Sequence, residues 1–100
     1  MQNYKDLKVW EKAHQFTLEG YEVTKQFPRE EIYSLTNRLR RAVSSIPANI
    51  AEGCGKNSQA EFAHFLNILL RSTNEAEYLL ICSKDLKYLN ENIFDTLVKL

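Results

Sequence analysis

Residues 35–53 read Leu35-Thr36-Asn37-Arg38-Leu39-Arg40-Arg41-Ala42-Val43-Ser44-Ser45-Ile46-Pro47-Ala48-Asn49-Ile50-Ala51-Glu52-Gly53. Leu35, Leu39, Val43, Ile46 and Ile50 recur at steps of three and four, the spacing that lines one face of an α-helix and that a strand cannot use. The helix starts between Arg29 and Leu35, and the glycines at 53 and 55 stop it. Pro47 lies inside it. A proline there removes one backbone donor and presses on the preceding turn, so a bend is expected near Ser44, with the freed carbonyl taken by a serine hydroxyl or water. Opposite the apolar stripe stand Asn37, Ser44, Ala48 and Ala51, small residues where a solvated helix usually carries charge. That back is expected to be covered by protein.

The same period continues on both sides. Upstream, Leu7, Trp10, His14, Thr17, Leu18 and Tyr21 share one face of a helix from Asp6 to about Gln26, broadened by Val9, Phe16, Val23 and Phe27. Pro28 disfavours helix at Phe27 and suits a first turn. Downstream, Ser58-Gln59-Ala60-Glu61 is a capping box opening a helix that runs to about Tyr88. Its stripe is Phe62, Leu66, Leu69, Thr73, Ala76, Leu80 and Ser83. Beyond Asn90-Glu91-Asn92, Ile93, Leu97 and Leu100 are in phase, and the chain ends within that pattern.

Short connections at Phe27–Arg29 and Gly53–Asn57 make successive helices antiparallel neighbours. The expected fold is therefore all-α: an antiparallel up-down four-helix bundle with a short or truncated fourth helix, one domain over residues 1–100. A third helix of roughly 30 residues extends about 45 Å. The fourth covers a third of it. The apolar surface left on helices 1 and 3 implies self-association.

The 100 residues are 44% hydrophobic and 26% charged, a globular composition, and 13 Lys plus Arg balance 13 Asp plus Glu. The average surface therefore offers no field to gather nucleic acid or anionic lipid, and any basic footprint is local. No stretch reaches the roughly 20 apolar residues of a membrane span, and the N-terminus has no leader pattern. Cys54 and Cys82 are too few for a disulfide framework, and with His14 and His64 they lack metal-ligand spacing. Reduced thiols and a cytoplasmic location are expected, with no cofactor, no metal and no small-molecule substrate. No acid, base and nucleophile converge, so an enzyme is not expected.

Arg38, Arg41, Ser45, Asn49 and Glu52 form a narrow polar stripe beside the apolar one on helix 2. Two readings stand. In the structural one the stripe fixes register with helix 3, whose Ser72, Glu75 and Glu77 offer partners; an Arg38 or Arg41 pair with Glu75 or Glu77 is its centre. In the functional one Arg38, Arg40, Arg41 and Lys56 form an anion-binding patch, since guanidinium forks match phosphate oxygens. Arg40, pointing away from the apolar stripe, is the best member. Tyr33 and Tyr78 fall on outward positions, suited to stacking or to an interface, while the other aromatics are in phase with the core.

Asp6-Leu7-Lys8-Val9-Trp10 with Ala13, Phe27-Pro28 with Glu31, Arg41-Ala42 with Ser45 to Gly53, Ser58 with Glu61-Phe62, and Ser72 with Glu75 and Glu77 together carry a specific resemblance. Over about Tyr4 to Leu89 the chain resembles the four-helix bundle proteins of the 23S rRNA intervening sequences. A related protein with that fold, the accessory variability determinant of diversity-generating retroelements, forms a ring of five, binds nucleic acid and engages a reverse transcriptase. The resemblance thus implies a homo-oligomer, a pentameric ring, with RNA or a nucleic-acid-handling protein as partner. The expected function is a non-catalytic, RNA- or ribonucleoprotein-associated binding module; a protein-protein adaptor without nucleic acid is the alternative. The chain departs from the family in its shorter fourth helix and in carrying Arg38 where glutamine is usual.

Overall fold

The computed structural model describes residues 3–55 and 58–98. Its helices are α1 (Lys8–Thr24), α2 (Leu35–Gly53), α3 (Gln59–Asp85) and α4 (Glu91–Val98), with 3-10 turns at Tyr4–Asp6 and Arg29–Glu31. No strand occurs among the described residues. The all-α bundle with a short fourth helix, read from periodicity, is the fold. α2 packs against both α1 and α3, and α4 rests mainly on α3. The molecule is elongated, 43 × 22 × 18 Å.

Helix ends follow local chemistry. Ser58 Oγ accepts from the Glu61 amide at 3.1 Å, satisfying one orphan donor of α3. Asn90 Oδ1 does the same for Ile93 at the start of α4, at 2.8 Å. α3 ends at Asp85, three residues before the predicted stop. Lys87 adopts φ 68°, its amide bonds Lys84 O at 2.9 Å, and the Tyr88 amide reaches back to Ser83 O at 2.9 Å. Those two bonds are a Schellman closure with lysine in the left-handed position that glycine usually takes.

The seam between α1 and α2 differs from the expectation. The buried line of α1 is Ala13, Thr17, Gly20 and Thr24, while Leu18 and Tyr21 are exposed. His14, expected at the core edge, is exposed as well. Small residues win that face because they let the two backbones approach closely. A Cβ placed on Gly20 would lie 3.0 Å from Val43 Cγ2, so no larger residue fits without moving Val43. Thr17 sits in the same line. Pro47 deprives Val43 O of its partner within the helix, and the Thr17 hydroxyl donates to that oxygen across the seam at 2.7 Å. The predicted serine does not do this: Ser44 and Ser45 bond Arg41 O and Ala42 O, at 3.2 and 2.8 Å.

One apolar cluster gathers Phe27, Leu35, Leu39, Ala42, Val43, Ala76, Leu79, Leu80, Leu89 and Leu97, with Phe16, Val23, Tyr88 and Phe94 packed around it. It fills one end of the bundle. The buried residues of α3, Ala76, Leu79, Leu80 and Ser83, all belong to its C-terminal part. Phe62 and Leu66, predicted on the same stripe, are about half exposed, at 53% and 48%.

Candidate functional site

Among the predicted anion-binding residues, Lys56 lies outside the described residues. The other three go different ways, because the crowded faces of α2 meet two different helices. Arg38 leans toward α3 and stands 3.7 Å from Glu75, an ion pair with both side chains roughly half exposed. A pair so solvated contributes on the order of 0–1 kcal/mol, unlike the buried pair expected. Arg40, expected to point away from the apolar stripe, does so but lies along α1: its Nε donates to Thr24 Oγ1 at 2.7 Å, and its Nη2 donates to Tyr21 O at 3.4 Å. Its guanidinium carbon stands 5.0 Å from the Tyr21 ring centroid. Arg41 is exposed, and no hydrogen bond or ion pair engages its side chain among the described residues.

The polar stripe turns inward on its own helix. Asn49 Nδ2 donates to Ser45 O at 2.7 Å and Ser45 Oγ to Ala42 O, so neither reaches α3. Glu52 is exposed, and Ser72 is half-buried. Glu77 stands on the opposite edge of α3 from Glu75, away from both Arg38 and Arg41, on the wall of a groove between α1 and α3. Val9, Ala13 and Phe16 form the other wall, Ile46 and Ile50 the floor, and Leu97 with Val98 close one end. From the groove an apolar row continues along α3 through Leu70, Leu66 and Phe62. Tyr33 and Tyr78 project outward as expected, at 94% and 61% exposure.

Two further constellations escaped sequence reasoning. Trp10 stacks on His14 with ring centroids 5.0 Å apart and planes 11° from parallel, and Tyr4 meets Trp10 edge-on at 5.3 Å. The four-residue step from Trp10 to His14 was the available signal. At the other end, both carboxylate oxygens of Glu31 accept hydroxyls, one from Ser34 and one from Tyr88 at 3.0 Å. The Ser34 bond first, then the Tyr88 bond, hold the Glu31 carboxyl below its usual range, and Glu31 pushes the Tyr88 phenol up. Glu31 and Tyr88 are 57 residues apart, and no local pattern joins them.

Among the described residues no cluster of three or more His, Cys, Asp or Glu side chains could hold a metal ion. Cys54 and Cys82 are free thiols. No described helix is long and apolar enough to cross a membrane. The arrangement is thus an all-α bundle whose surface chemistry lies in arginines, stacked rings and an open apolar flank. The profile of the 23S rRNA-intervening sequence protein family matches residues 5–100, and the chain belongs to that family. No curated protein matches it significantly.

Proposed function

We propose that the chain is a non-catalytic, self-associating binding module that works in the cytoplasm and assembles into a homo-oligomeric ring through the open flank of α1 and α3. The observation that carries this reading is the row Phe62, Leu66 and Leu70, exposed at 53%, 48% and 59% on one helix whose fully buried residues all lie in its second half. A contiguous apolar row of this kind marks an interaction surface rather than ordinary scatter. Isolated, it costs the molecule solubility; covered by another subunit, it becomes core.

A second reading adds RNA to the assembly. Arg41, exposed and without a partner among the described residues, favours it, because repetition around a ring turns one such guanidinium per subunit into a band of charge. Arg38 and Arg40 contribute less freely, being engaged by Glu75 and by α1.

Solution mass by light scattering is the test, at low and high salt, with and without single-stranded RNA. The expected outcome is a defined oligomer that falls to monomer in the Leu66→Glu, Leu70→Glu variant and gains mass with RNA only at low salt. A wild-type monomer at all concentrations overturns the assembly, and an oligomer indifferent to RNA at low salt overturns the second reading alone.

A further inference from the structure

We propose that the outward flank shared by α1 and α2 is a site for single-stranded nucleic acid, in which a base stacks on His14, itself backed by Trp10, while Arg40 and Arg41 hold phosphates. This rests on the second reading above and gives it a place. The flank is distinct from the apolar groove, on the other side of α1.

Three observations meet there. First, Trp10 is stacked on His14 and met edge-on by Tyr4, and His14 is exposed, so a base laid on His14 extends an existing stacked pair rather than having to organise one. Aromatic platforms take any base because every base has a π-face. Second, Tyr21 stands seven residues from His14, about 10 Å along the helix at 1.5 Å per residue. Across its ring lies the Arg40 guanidinium. Thr24 and Tyr21 O use two of the five Arg40 N–H groups. The others remain for an anion, on a fork whose position is already fixed. Third, Arg41 follows on the solvent side of α2 with nothing to neutralise it among the described residues.

One and two turns on from Arg40 along α2 come Ser44 and Ala48, which carry no charge and little bulk. The nearest α1 carboxylates, Glu11 and Glu22, lie further round the helix, and Glu22 is paired with Lys25 at 3.0 Å. Basic and ring-bearing side chains interleaved in this way suit a phosphate backbone with unpaired bases better than a duplex, whose bases present no free faces.

The chain's one tryptophan is in the stack, which makes the test local. The full-length chain is titrated with a fluorescently labelled oligouridylate and with oligothymidylate, reading label anisotropy for binding anywhere and Trp10 emission for binding here. Expected is salt-sensitive binding accompanied by Trp10 quenching. His14→Ala should weaken it about tenfold, and Arg41→Ala should reduce the slope of log affinity against log salt by about one. Circular dichroism of both exposed-site variants checks that the helices persist. Preference for one of the two oligonucleotides distinguishes RNA from DNA as the source of the strand. Anisotropy without quenching, or binding indifferent to His14→Ala, overturns this site while leaving RNA binding intact. No anisotropy change at low salt overturns both. If polyglutamate quenches Trp10 and displaces the oligonucleotide at equal charge, the occupant is an acidic protein segment and the proposal fails.

Discussion

Thr17 is a small polar residue in an apolar seam, and its burial makes sense only beside Pro47. A buried carbonyl without a donor is costly, and Val43 O is in that position unless Thr17 supplies one. Thr17→Val preserves shape and removes the hydroxyl. The expected loss is about 1–3 kcal/mol, the usual cost of leaving a buried polar group unsatisfied, measured by urea denaturation. Restoring the α2 donor by Pro47→Ala in the same background should recover part of it. The proline and its difficulty were legible in the sequence; the answer was not, because it comes from a residue 26 positions earlier on another helix. Arg40 teaches the same lesson. Its phase on α2 turns it away from the apolar stripe, but that direction meets Thr24 and Tyr21 instead of water.

At the level of elements, period and caps carried the assignment of all four helices, since amphipathic spacing and the Ser58 cap are local properties. Which face of α1 is buried was not legible. Hydrophobic periodicity gives weight to large side chains, whereas close packing against Val43 selects Ala13, Thr17 and Gly20. The 3-10 turn after α1 and the turn into α4 are joined through Glu31, with Phe27 and Tyr88 rings 5.5 Å apart beneath. The lowered Glu31 pKa means that the folded state favours the carboxylate. Its contribution is therefore present above the unfolded value near 4.5 and is lost as pH falls through the lower folded value. The raised Tyr88 pKa works from the other side: its contribution is present below 10 and is lost as pH rises through the higher folded value. Glu31→Gln should flatten the acid limb of a melting-temperature profile, and Tyr88→Phe the alkaline limb. An acid limb unchanged by Glu31→Gln would show that the bonds to Ser34 and Tyr88 contribute nothing.

Across the whole molecule the core is lopsided. Leu39, Val43, Leu79 and Leu80 are sealed at one end, while the first half of α3 lies on α2 with its outer side open. Amide exchange should therefore be graded along α3, protection rising by orders of magnitude from about Leu66 to Leu80 in the isolated subunit. Covering by a second subunit would level that gradient, so exchange at high and low concentration reports the assembly residue by residue. The composition warned that charge would be local, and the structure sharpens this: one described arginine on α2 is free while its neighbours are engaged. Trp10 and His14 are in phase with the core yet stack on a flank of α1, because phase alone cannot tell a flank from a face. The lopsided core also sets an order of events during synthesis. The α1–α2 hairpin can close as soon as Pro47 has emerged. The sealed end draws on Leu79, Leu80, Leu89 and Leu97, so the ribosome must finish nearly the whole described length before the chain has an interior. Until then the nascent chain is a hairpin with its apolar side bare, dependent on whatever shields it at the exit tunnel.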